Sequence, residues 1–120
     1  MNSQNILWVV ITLFAIAAAG GLMMAGIRIL SNKNPPAWLA MAHGLLAGAG
    51  LTLLLFATFT IGVPKLALWA LVLLVVAALG GVILNLGYQE KRELLPKPLM
   101  YVHVLVAVSG FILLIVSAIQ

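Results

Sequence analysis

The sequence predicts an all-α membrane protein of four transmembrane helices, built as a tandem duplication of a two-helix hairpin with a pseudo-twofold axis along the membrane normal. Three observations lead there: an extreme composition, four long apolar runs, and a match between the two halves of the chain. Of 120 residues, 65% are hydrophobic and only 7% charged. A soluble domain carries about a quarter of its residues charged, so this composition excludes a soluble enzyme and a nucleic-acid binder. The excess of six Lys and Arg over two acidic residues reads as the flanking charge that orients membrane helices. Cysteine is absent, which excludes disulfides, thiolate metal sites and a cysteine nucleophile.

The four spans are expected at 6–30, 37–61, 66–88 and 99–119, each near or above the roughly 20 residues that cross a bilayer. A barrel is excluded, because barrel strands alternate over about ten residues and these runs are continuous. Punctuation separates them: Ser31 to Pro36 with its paired prolines, then Gly62, Val63, Pro64 and Lys65, then the stretch from Gln89 to Pro98. Ala15, Ile16 and Ala17 imitate a signal-peptide cleavage site. No basic residue precedes them and the apolar run continues past them, so the segment is read as the first span. Arg28, Lys33, Lys91, Arg92 and Lys97 flank the first and third connections, and only Lys65 flanks the second. Loops 31–36 and 89–98 are therefore expected in the cytoplasm and both termini outside, as in a bacterial inner membrane. Trp8 and Trp69 then fall at the outer interface, and Trp38, Tyr88 and Tyr101 at the inner one.

Laying residues 1–60 over 61–120 without a gap gives thirteen identities. The rare residues decide the match: Gly20 and Gly21 fall on Gly80 and Gly81, Pro36 on Pro96, His43 on His103, Ala47 on Ala107, and Gly50 on Gly110. These are the only two histidines in the chain. Each unit holds two spans, so both insert the same way up, and the histidines are expected at one depth, about two turns inside the cytoplasmic interface. His, Ala and Gly at i, i+4 and i+7 form one stripe on each helix.

An ionisable side chain in the hydrocarbon region marks a function by default. Two neutral imidazoles facing across a bundle suit one metal centre ligated from opposite sides, as in haem. Gly20, Gly21, Gly50, Gly80, Gly81 and Gly110 are expected to make room for a flat macrocycle. Arg28 and Lys33, with Lys91, Arg92 or Lys97, would meet its carboxylates. With His43 and His103 on spans two and four among these glycines, the chain resembles the small membrane b-type cytochromes. Those are four-helix bundles that hold haem between histidines of their second and fourth spans. The resemblance implies haem b on His43 and His103, and electron transfer or a role as a redox subunit. It also implies exchange with a quinone or a redox protein. Many such proteins hold two haems on four histidines; two histidines here imply one haem, displaced towards the cytoplasmic face. Redox turnover through haem is the only enzymatic activity expected, since no nucleophilic triad or paired carboxylates occur.

The alternative is a non-catalytic membrane subunit or assembly protein, with the histidines as packing contacts between helices. A small transporter is disfavoured because both acidic residues sit in a loop. Gly44 and Gly48 form a helix-packing pattern that Val104 and Val108 replace in the second half, pointing to one local contact or a homodimer seam in a larger membrane complex. Asn85 is expected to pack against a neighbouring helix or line the site, and Met23 and Met24 to fill core gaps.

Overall fold

A computed structural model describes residues 2–120, which form four antiparallel helices: α1 (Ser3–Ser31), α2 (Ala37–Thr60), α3 (Lys65–Leu84) and α4 (Lys97–Ile119). All four are long and apolar enough to cross a membrane, the build of an integral membrane protein. The bundle measures 43 × 20 × 19 Å, its long axis matching 29 residues of α1 at about 1.5 Å each. Large apolar side chains cover its outside, Leu45 and Phe59 among them at 69% and 82% exposure. Water does not tolerate so continuous an apolar surface on a soluble monomer, and a lipid environment accounts for it.

Local chemistry sets the helix ends. The Asn2 side chain caps α1 by accepting the Asn5 N–H at 2.8 Å, and Asn32 closes it in the left-handed region at φ 52°, a conformation Asn adopts at low cost. Each later helix starts directly after a proline, Pro36, Pro64 or Pro96, which holds the preceding residue out of helical geometry. Gly62, at φ +87°, makes the turn between α2 and α3.

Two boundaries differ from expectation. The third span does not run as one α-helix to Tyr88: from Asn85 to Gln89 it widens into a π turn, in which the Asn85 carbonyl accepts the Glu90 N–H at 2.8 Å. The third connection is correspondingly shorter than 89–98. Gln89 belongs to the π turn, and Lys97 and Pro98 to the first turn of α4, where proline's missing N–H costs nothing.

The helices associate as hairpins. α1 packs most extensively on α2 and α3 on α4, while α1 against α4 and α2 against α3 make the lesser seams. The apolar core lies in the half of the bundle that carries the termini: Leu7, Val10 and Phe14 of α1 meet Leu54 and Ala57 of α2, Ala70 and Leu74 of α3, and Leu114 of α4. Met23 lies outside this core with 57% of its surface exposed, because it points away from the bundle axis. Gly44 and Gly48 are likewise exposed, and a Cβ added to either meets nothing within 4 Å, so their pattern makes no contact within the chain.

Candidate functional site

His43 and His103 are each the seventh residue of their helix, about 9 Å along it from the loop end. They face one another across the bundle with ring centroids 6.3 Å apart and planes at 80°. Each also leans on the first helix of its own hairpin: His43 Nδ1 lies 2.7 Å from the Ala17 carbonyl oxygen, and His103 Nδ1 lies 2.7 Å from that of Ala77. A carbonyl only accepts, so Nδ1 carries the proton on both rings and donates it, leaving the Nε2 lone pair free. The acceptors stand sixty residues apart, as do the donors.

Glycine permits this approach. A Cβ at Gly21 would stand 2.9 Å from Cε1 and 3.2 Å from Nδ1 of His43; one at Gly81 would stand 3.1 Å from Cε1 of His103. A Cβ added at Gly20 would stand 4.0 Å from His43 Cβ and one at Gly80 3.6 Å from His103 Nδ1, both ordinary contact distances. The two glycine pairs therefore seat the histidines. Gly50 and Gly110 are not at the rings: a Cβ there would meet Phe14 at 3.0 Å or Leu74 at 2.9 Å. They bring the second and fourth helices close to the first and third on the core side of the histidines.

Around the rings the bundle changes character. None of the residues 18–27, 40–49, 78–83 and 101–109 is buried, although all four helices pass through this level. Burial resumes on one side at Ala17, Gly50, Ala77 and Gly110, and on the other at Arg28, Leu39, Leu84 and Met100. The histidines thus occupy a layer of half-buried and exposed residues between the two hairpins, with a packed core beyond one face and the loops beyond the other.

The loop end is closed by polar bonds between hairpins. Arg28, 6% exposed, donates from Nε to the Leu95 carbonyl at 2.9 Å and from Nη1 to Asn32 Oδ1 at 3.0 Å. Gln89 Nε2 donates to the Pro35 carbonyl at 2.7 Å, and Asn34 bonds twice, from Nδ2 to the Glu93 carbonyl at 2.6 Å and through Oδ1 from the Leu95 N–H at 2.9 Å. The two carbonyl acceptors, Pro35 and Leu95, stand sixty residues apart, and their donors, Gln89 and Arg28, sixty-one. Of the cationic side chains expected near the site, Arg28 lies at this end with two of its nitrogens engaged, and Lys33 is exposed in the loop.

Comparison with protein-family models, with curated proteins and with solved structures returned no match. Among the described residues no three His, Cys, Asp or Glu side chains gather as a metal site, so the donor set consists of the two imidazoles.

Sequence reasoning reached both histidines and the glycines beside them. The carbonyl acceptors escaped it, although Ala17 and Ala77 are among the thirteen identities and mark the place. Asn34 and Gln89 gave no signal: Asn34 stands opposite Leu94 between the halves, and Gln89 opposite Ile29.

Proposed function

We propose that this chain is an integral membrane b-type cytochrome that holds one haem between His43 and His103 and serves in electron transfer or as a redox subunit. The observation that carries the reading is the pair of opposed imidazoles, each with Nδ1 tied to a backbone carbonyl, in a layer with no buried side chain of its own. His43 and His103, with ring centroids 6.3 Å apart, are the residues that would hold the group, each through its Nε2 lone pair. The donated Nδ1 proton fixes the tautomer and raises the basicity of Nε2, the usual support of a ligating histidine. Haem held this way supplies reversible one-electron exchange. The chain's own contribution is to hold both rings through Ala17 and Ala77 and, among the described residues, to place no competing donor beside them.

The same reading includes tandem duplication with a pseudo-twofold axis along the membrane normal. The paired hydrogen bonds, glycine clearances and burial sixty residues apart support it. Arg28, Lys33, Lys91, Arg92 and Lys97 cluster at the loop end, which supports a cytoplasmic placement of that end in a bacterial inner membrane. The cofactor would then sit towards the cytoplasmic face, within reach of a quinone at the interface, a cytoplasmic redox protein or another membrane subunit.

The test is a reduced-minus-oxidised visible spectrum of detergent-purified protein, before and after haem supplementation, beside His43→Ala and His103→Ala. Sharp reduced bands lost in either variant support the reading, and no bands after supplementation overturn it. The second reading is a non-catalytic membrane or assembly subunit in which the histidines act as packing contacts. The bonds to Ala17 and Ala77 favour it, being interhelical contacts complete without a ligand. Under that reading, replacing both histidines with Gln leaves partner capture intact.

A further inference from the structure

The histidine rings are held at three points each, and the third is unexpected. The side-chain bond to α2 or α4 fixes one end of the ring, and the hydrogen bond to Ala17 or Ala77 fixes Nδ1. That leaves the edge at Cε1, which in both cases rests on the second glycine of a pair, Gly21 or Gly81. Within α1 the Gly21 N–H and the Ala17 carbonyl face each other across one helical turn, as do Gly81 and Ala77 in α3. Seat and acceptor are therefore parts of one rigid turn.

We infer that Gly21 and Gly81 are positioning residues that set the planes of His43 and His103 near perpendicular. This rests on the haem reading above and goes beyond it, because bis-histidine ligation does not dictate the angle between the rings. The turn at Ala17 and Gly21 and the turn at Ala77 and Gly81 belong to different hairpins, and their mutual orientation passes to the rings, which stand at 80°. Gly21 holds the tighter seat. An added methyl there comes within 2.9 Å of Cε1 and 3.2 Å of Nδ1, so the ring must swing and the hydrogen bond must stretch; at Gly81 the matching distances are 3.1 and 3.8 Å. The Gly21→Ala substitution accordingly displaces its ring further than Gly81→Ala does.

Ring angle has a spectroscopic signature independent of turnover. Perpendicular axial imidazoles leave the iron dπ orbitals nearly degenerate, giving a strongly axial low-spin ferric resonance; nearly parallel rings split those orbitals and give a rhombic one. The experiment is electron paramagnetic resonance of the ferric, haem-supplemented protein in detergent, for wild type, Gly21→Ala and Gly81→Ala. Gly26→Ala serves as a control, because a Cβ at Gly26 meets nothing within 4 Å. The expected result is a strongly axial wild-type signal, retained in Gly26→Ala, shifted in Gly81→Ala and shifted further or lost in Gly21→Ala. A rhombic wild-type signal, or an unaltered signal in haem-loaded Gly21→Ala, overturns the inference while leaving haem binding standing.

If the wild type takes up no haem, that failure belongs to the haem reading, and the positioning role is read from imidazole nitrogen NMR of the unloaded protein. Gly21→Ala then shifts the Nδ1 resonance of His43 and spares that of His103, with Gly81→Ala doing the reverse. Unchanged resonances overturn the role there as well.

Discussion

Replacing Gly110 with alanine tests the packing that closes the core side of the histidine layer. The new methyl carbon would lie 2.9 Å from Leu74 Cγ, 3.1 Å from its Cδ2 and 3.2 Å from Leu73 Cβ. Leu73 Cβ is fixed by the main chain, and Leu74 Cγ moves only by a χ1 change inside the packed core, so α4 must move off α3 or Leu74 must repack. Overpacking of this kind costs about 1–3 kcal/mol. Alanine returns about 1 kcal/mol through its better helix propensity, leaving a net loss of about 0–2 kcal/mol against wild type, whereas Gly48→Ala keeps that gain whole. The related Gly50→Ala meets only the edge of the Phe14 ring, at 3.0 to 3.3 Å, and a tilting ring absorbs part of that overlap. Gly48→Ala meets nothing. Equilibrium unfolding in mixed micelles should therefore rank stability as Gly48→Ala highest, Gly50→Ala next and Gly110→Ala lowest. A Gly110→Ala protein as stable as Gly48→Ala would refute the close approach of α4 to α3.

Other expectations follow from the loop end and from orientation. Asn34→Ala removes the acceptor of the Leu95 N–H and the donor to the exposed Glu93 carbonyl, at a cost of about 0.5–1.5 kcal/mol. Hydrogen exchange at the Leu95 amide should accelerate, and unchanged protection would count against the bond. Deleting the exposed Leu86 should convert the π turn to α-helix with the fold retained, whereas deleting Met24 from α1, which has no such turn to lose, should disrupt the bundle; thermal melts in detergent compare the two. The absence of cysteine makes single-cysteine labelling clean. Under the proposed orientation, Lys65→Cys reacts with a membrane-impermeant maleimide in intact cells and Lys91→Cys only after the inner face is opened. The opposite pattern would reverse the topology.

The four helices were legible because a bilayer demands unbroken apolar length, and the prolines at 36, 64 and 96 mark the helix starts in the sequence itself. The histidine pair was legible because only two occur and they align. The role of each glycine was not. A small residue beside a macrocycle, beside an imidazole or beside another helix looks the same in sequence, and only coordinates separate Gly21, against His43, from Gly50, against Phe14. The polar bonds at the loop end lie further out of reach. Asn34, Arg28 and Gln89 all bond to main-chain atoms more than fifty residues away, and a backbone carbonyl carries no letter in the sequence. The ungapped comparison sets Arg28 opposite Tyr88, whereas the side chain that bonds a carbonyl of the other half is Gln89.

That turn bears on how such a chain tolerates change over generations. One residue added inside a helix held at both ends rotates everything beyond it by about 100°, enough to turn an inward face outward. A widened turn such as that from Asn85 to Gln89 takes up an extra residue within a single loop of backbone and leaves the inner face of α3 in place. Arg28 and Gln89 then do similar work with different chemistry. A cation closes one connection of the loop end and a neutral amide the other, so a single face of the bundle is held shut by two different chemistries.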